Sequence, residues 1–224
     1  MIYLYALCPN LLDPPQFPAG IGSKAVELLT VDQVGAIIER DIDVAQLKTD
    51  DARLMDAVLA HDRVLGYCFD QMPLLPLRFG TQFKDVASIQ AFLQAQGQVY
   101  AHKLETLKAK AEYLLKLSPK LPEIPPVSTE LKGRDYFLAK KARLQAQTAA
   151  AEQQAAELQE FLASLEAAGI PLVQSPPQGT EERLHILLTR EREATQSLVE
   201  LWQEKLSTWQ LEHSDPLPPY HFAS

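Results

Sequence analysis

The stretch MPLLPLRFGTQF, residues 72–83, decides how the chain is organised. Leu74, Leu75 and Leu77 make an apolar run too short for a helix and bounded by breakers, which reads as a buried strand. Pro76 lacks the N–H that a ladder needs, so the strand is expected to be an edge or to bulge there. Gly80 permits a sharp exit, and Thr81 or Asp85 is placed to cap the helix that follows. Arg78 is the one charge in the segment, and its guanidinium is expected to be clamped by a carboxylate or by carbonyls. Arg78, Phe79 and Gly80 are therefore predicted to form a structural junction between two helices, with a central strand leading into it.

Working outward, the two helices flank this stretch. Asp50 is placed to cap a helix reaching about residue 70, in which Leu54, Val58, His61, Leu65 and Cys68 recur at 4-3-4-3 spacing as one core-facing stripe. His61 lies on that stripe without a second ligand or a nucleophile at a telling distance, so it reads as a neutral core histidine. The second helix is expected over 84–108, with Ile89, Leu93, Tyr100, Leu104 and Leu107 inward. Further back, 25–30 and 34–40 read as a hairpin, and 2–7 (IYLYAL) as a strand covered on both faces. Gly20-Ile21-Gly22-Ser23-Lys24 has a faint look of a phosphate loop, but a GK[ST] ending and a strand immediately before it are missing.

Beyond residue 110 the pattern changes. Residues 113–117 read as a strand and 119–127, with four prolines, as an extended connector. A single helical pattern then runs over 133–168, ended by Gly169 and Pro171. Phe137, Leu144, Ala151, Leu158 and Leu165 recur every seven residues, but Lys141 and Thr148 leave the first half of the companion positions polar. At 1.5 Å per residue this helix is about 50 Å long and outreaches a small sheet, so its Ala-rich first half is expected to protrude. Strands at 172–173 and 184–188, divided by a loop carrying Pro176, Pro177 and Gly179, precede a helix at 191–206 with Leu198, Leu201 or Trp202, and Leu206 inward. A last strand at 209–213 leads to the Pro-rich tail, where Tyr220 and Phe222 supply apolar area for docking. From residue 113 the order is strand, helix, strand, strand, helix, strand, the ferredoxin-like order. The fold class expected is α+β in two domains: an N-terminal domain over 1–110, and a ferredoxin-like βαββαβ domain over 111–224 with the long helix 133–168.

The chemistry narrows the functional classes. A net charge of −8 opposes a nucleic-acid footprint, which needs a basic patch, and the basic-aromatic signature of RNA-recognition modules is missing. Apolar stretches are too short to span a bilayer and no export signal is legible, and two cysteines, Cys8 and Cys68, sit in apolar surroundings. A cytosolic protein is expected. His185, His213 and His221 show no metal-ligand spacing, and no nucleophile elbow appears, so neither a metal, a cofactor nor an enzymatic activity is expected.

Five features in order along the chain resemble the F/L family of gas vesicle accessory proteins (GvpF/GvpL). They are Ile2-Tyr3-Leu4-Tyr5, His61 followed by Val64-Leu65, the segment Leu74-Leu75-Pro76-Leu77-Arg78-Phe79-Gly80-Thr81, Gly133-Arg134-Asp135-Tyr136-Phe137, and Pro218-Pro219-Tyr220-His221-Phe222. The resemblance covers nearly the whole length, and PLRFGT is its most specific piece. One departure is Asp215-Pro216-Leu217, where the family pattern has Gly-Pro-Trp. The resemblance implies a non-enzymatic structural or assembly factor that binds the hydrophobic shell protein, with other gas vesicle accessory proteins as further partners. It implies neither nucleic acid nor membrane lipid as partner, and a place in the cytoplasm at the gas vesicle. Arg78, Phe79, Gly80 and Tyr220 are the residues it singles out as partner-binding or structural. A coiled-coil scaffold acting through helix 133–168 is the alternative expectation.

Overall fold

A computed structural model describes residues 1–22 and 24–223. Two compact units divide the chain: Met1–Glu112 together with Pro216–Ser224, and Tyr113–Asp215. The sequence reading placed the tail with the second half of the chain, whereas its contacts belong to the first unit.

The first unit is an antiparallel sheet with helices. Its strands are β1 (Ile2–Pro9), β2 (Val26–Val31), β3 (Val34–Arg40), β4 (Leu75–Pro76) and β5 (Gln82–Phe83). Its helices are α1 (Val44–Leu47), α2 (Asp51–Gln71) and α3 (Val86–Thr106). The sheet order is β2-β3-β1-β4, with β5 also pairing β1. β1 is buried from Ile2 to Cys8 and is the true centre of the sheet, which is why it is apolar at every position. The β2–β3 hairpin forms as expected, with Asp32 at φ 51° in its turn.

Residues 72–83 take a different role from the central strand they were expected to be. Leu75 and Pro76 pair with Leu7 and Ala6, and Gln82 and Phe83 pair with Tyr3 and Ile2, so the stretch is an edge interrupted in the middle. The expectation that Pro76 marks an edge holds. Leu77 N donates to Tyr5 O at 3.0 Å and Leu4 N to Thr81 O at 3.0 Å, so β1 holds both ends of a short excursion through Arg78, Phe79 and Gly80. Thr81 closes it, its amide and hydroxyl both donating to the Arg78 carbonyl. The Arg78 side chain is exposed, so the expected buried clamp is not what this arginine provides; its carbonyl does the structural work. Gly80 sits at φ 93°, where a side chain is strained, and a Cβ there would only touch Val44 Cγ1 at 3.6 Å. The cost of Gly80→Val is therefore conformational, and a loss of about 1–3 kcal/mol is expected. An unchanged thermal melt would contradict this.

α2 begins at Asp50, whose carboxylate accepts from Ala52 N and Arg53 N, and α3 begins at Asp85, which accepts from Ser88 N. Asp85, not Thr81, is thus the cap of the second helix. The inward face of α2 is broader than the simple stripe: Ala57, Ala60, Val64 and Phe69 join His61, Leu65 and Cys68, while Leu54 and Val58 are only half-buried.

The second unit contains β6 (Lys110–Pro119), α4 (Gly133–Ala167), β7 (Leu172–Gln178), β8 (Glu181–Thr189), α5 (Arg192–Lys205) and β9 (Trp209–His213), the division between units falling after Glu112 within β6. Its sheet order is β7-β8-β6-β9. Of the residues expected as a loop, 174–178 and 181–183 are instead the facing ends of β7 and β8, only Gly179 and Thr180 forming the turn, with a register shift between Ser175 and Gln178. Pro176 and Pro177 are tolerated because β7 is an edge strand and the shift absorbs the missing donors. On α5 the inward residues are Thr195, Val199 and Trp202, whereas Leu201 is exposed.

α4 has 35 residues, about 52 Å, and is attached only over its second half. Leu158, Phe161 and Leu165 are its buried residues, and Phe161 meets Trp202 edge-on at 5.8 Å. Trp209 Nε1 donates to Gln154 O at 3.0 Å. Glu157 accepts from the amides and hydroxyls of Ser207 and Thr208. Burial pushes its pKa up, but those Thr208 and Ser207 bonds outweigh it and hold the carboxylate below its usual range.

Candidate functional site

The polar interior of the first unit is built from β1, β3 and α2. The alternation of β1 aims Tyr3 and Tyr5 at the same face, and their rings meet at 4.8 Å. His61, on the buried side of α2, stacks against Tyr5 with ring centroids 5.5 Å apart and approaches Phe79 edge-on at 5.7 Å. Gly80 N donates to the Tyr3 hydroxyl at 3.1 Å, and that hydroxyl lies 2.8 Å from His61 Nδ1. With its proton directed at His61, Tyr3 leaves Nδ1 as acceptor, and the opposite ring N–H bonds the Leu77 carbonyl. Tyr3 and His61 thus grip both ends of the excursion from Leu77 to Gly80.

Burial dominates the titration of these groups. It pushes Tyr3 up to about 12 and Tyr5 higher still, with Glu39 adding to the latter. The Cys8 and Cys68 thiols are likewise pushed up to about 12 by burial. His61 is lowered, burial outweighing the opposing effects of Asp62 and the Leu77 carbonyl. Groups so placed hold the fold; none of these hydroxyls and thiols ionises near neutrality. His61 carries a pH signature. Its folded pKa lies below the unfolded value of about 6.5, so the unfolded chain binds more protons as pH falls and the stabilisation is lost below that value. The wild-type melt is expected to fall between pH 7.5 and 5.5 more steeply than that of His61→Asn; parallel slopes would refute it.

The glycine-rich loop resolves differently from its phosphate-loop look. Ile21 N and Gly22 N donate at 2.8 Å to the two carboxylate oxygens of Glu39, which also accepts the Tyr5 hydroxyl at 2.6 Å. Glu39 is fully buried. The loop amides therefore already hold an anion, the chain's own. Any Cβ on Gly20 would collide with Glu39 Oε2, which explains the glycine. Ser23 of this loop lies outside the described residues.

A surface groove of about 440 Å³ runs along the β4 edge, floored by Leu7, Leu75, Pro76 and Leu77 and bordered by Arg78, Tyr100, Tyr220 and His221. The tail forms one bank. Leu217 and Glu112 exchange backbone hydrogen bonds at 2.8 and 3.0 Å, Pro218 and Pro219 are buried, and Lys103 Nζ reaches Ala223 O at 3.4 Å. Glu112, itself 1% exposed, receives the His221 amide at 2.8 Å and lies 2.7 Å from His221 Nδ1. Of the residues singled out from sequence, Arg78 and Tyr220 meet at this groove. Phe79 turns inward onto Tyr3 and His61, and Gly80 supplies the turn. Glu39 and Glu112 were missed; the available signal was a lone acid inside each apolar run, VGAIIE and AEYLLKL.

The whole chain, residues 1–224, matches the family of gas vesicle synthesis proteins GvpL/GvpF. This chain belongs to that family. The crystal structure of the gas vesicle protein GvpF from Anabaena sp. PCC7120 superimposes with a TM-score of 0.68 at 18% identity, covering 100% of this chain and 95% of that one. GvpF from Microcystis aeruginosa gives 0.69 at 17% identity, with 100% and 98% covered. These likenesses establish a shared fold. No curated protein sequence matches the chain, and no helix among the described residues is long and apolar enough to cross a membrane.

Proposed function

We propose that this chain is a non-enzymatic assembly factor that binds the hydrophobic gas vesicle shell protein, in the cytoplasm and at the growing vesicle, alongside other accessory proteins. The observation that carries this is membership of a gas vesicle synthesis family over the full length. The physical need is plain: a subunit whose assembled form faces gas exposes apolar surface beforehand, and such surface aggregates unless it is covered. The groove along β4 is the assigned contact. Its apolar floor suits a hydrophobic segment, with Arg78 and Tyr220 at its rim and Phe79 and Gly80 as the support that sets its shape. The second unit, with βαββαβ order, is read as a ferredoxin-like module that carries the long helix.

The test is capture of shell protein by the intact chain and by Leu77→Ser and Tyr220→Ser variants. Apolar contact predicts capture that survives moderate salt, since only ionic attraction is screened, and that falls in both variants. Capture no better than an unrelated acidic protein would overturn the function; capture lost at modest salt would overturn its apolar basis.

A further inference from the structure

The first half of α4 is exposed along nearly its whole length, with Phe137 at 71% and Leu144 at 63% exposure. The connector lies on one side of the helix, where Tyr136, Lys140, Arg143 and Gln147, with Leu144 at the margin, border a hollow with Val127 and Thr129. The side about a quarter-turn away is exposed along its length except at half-buried Leu162. At 100° per residue it carries Phe137, Lys141, Leu144 and Thr148, then Ala151, Ala155, Leu162 and Glu166. Charge is segregated along the same helix. Residues 132–147 hold Lys132, Arg134, Lys140, Lys141 and Arg143 against Asp135 alone, while residues 148–168 hold Glu152, Glu157, Glu160 and Glu166 and no cation. On a chain of net charge −8 this basic half stands out.

We propose that the open face of α4 pairs antiparallel with α4 of a second copy of this chain, forming a two-fold dimer. A helix basic at one end and acidic at the other is complementary to itself only head to tail, and a two-fold axis uses the same patch on both copies. With the axis between Ala151 and Glu152, Glu166 of one copy comes level with Phe137 of the other and lies one turn from Arg134 and Lys141. Leu162 comes level with Lys141 and enters the gap between Phe137 and Leu144. At the axis, Thr148, Ala151 and Ala155 are small enough for the helices to approach at about 8 Å. Parallel pairing would set Lys141 against Lys141 and Glu166 against Glu166, which the segregation of charge opposes. The two Glu152 carboxylates meet at the axis and work against the dimer.

The experiment is sedimentation of the full chain with surface variants of α4. The wild type is expected to dimerise, Phe137→Ser with Leu144→Ser to be monomeric, and Glu166→Lys to weaken association by tenfold or more. Adding Arg134→Glu and Lys141→Glu to Glu166→Lys is expected to restore it, and Glu152→Gln to tighten it. Ala151→Cys is expected to form an intermolecular disulfide under mild oxidation and Phe137→Cys is not, the native cysteines being buried. A wild type monomeric at about 100 μM, where even a weak pair associates, overturns the proposal. So does cross-linking at Phe137→Cys, which means parallel pairing, or failure of the charge swap to rescue. A monomer whose shell-protein capture is abolished by Phe137→Ser assigns this face to the shell and overturns it as well. The dimer is independent of the β4 groove, so loss of groove binding leaves it standing.

Discussion

Glu39→Ala is expected to destabilise the first unit by about 3–4 kcal/mol, a large part of an ordinary domain's margin of about 5–15 kcal/mol. The carboxylate is fully buried and accepts from Tyr5, Ile21 and Gly22. Alanine leaves the Tyr5 hydroxyl and the Gly22 amide without their acceptor, while Ile21 N keeps only the Tyr5 hydroxyl oxygen at 2.9 Å. Each group left unpaired costs about 1–3 kcal/mol when water cannot replace the acceptor. Partial access of water to the loop and relief from burying a charge bring the sum down. Glu39→Gln keeps the volume and one acceptor oxygen, so a loss of about 1–2 kcal/mol is expected. Urea denaturation distinguishes them: the midpoint falls in the order wild type, Gln, Ala. An alanine variant within about 0.5 kcal/mol of wild type would mean the loop is not held by this carboxylate.

Truncation after Asp215 is expected to cost about 2–3 kcal/mol, because the removed segment is part of the first unit. It takes away the paired backbone bonds between Glu112 and Leu217, the contacts of His221 with the Glu112 carboxylate, and the burial of Pro218 and Pro219. Ordering a tail opposes this by about 1–2 kcal/mol per residue, and the three prolines reduce that loss by restricting the unfolded chain. The remaining stabilisation is modest but lies at a buried acid, which truncation leaves without His221. A lower melting temperature for the truncated chain is expected, together with slow cleavage at Tyr220 and Phe222 when the intact protein meets chymotrypsin. Rapid clipping without loss of stability would show that the docking contributes nothing.

The elements that were legible share one property: their signal is local. Asp50 caps α2 because a carboxylate can reach its own helix amides two and three residues on. The hairpin 26–40 follows from two β-branched runs and a short polar turn, and the far end of α4 from Gly169, found at φ 68°. The protrusion of α4 was legible too, from the polar positions Lys141 and Thr148 and a length no small sheet can cover.

What misled was signal whose meaning depends on a partner far along the chain. Leu74, Leu75 and Leu77 are apolar enough for a central strand, yet β1, wholly apolar and able to bond on both sides, takes the centre and leaves them the edge. Pro176 and Pro177 look like a loop until β8 supplies a register shift in which their missing donors do no harm. A buried acid is invisible in isolation: Glu39 is stable inside because a loop 17 and 18 residues earlier brings donors to it, and Glu112 because the tail 109 residues later does. Capping, periodicity and short motifs made the four long helices, the hairpin and the family likeness readable along the chain, while the four-residue helix α1 was not. Which strand is central, where the tail docks and which acids are inside came from the folded arrangement alone, because each depends on satisfying polar groups across long chain separations.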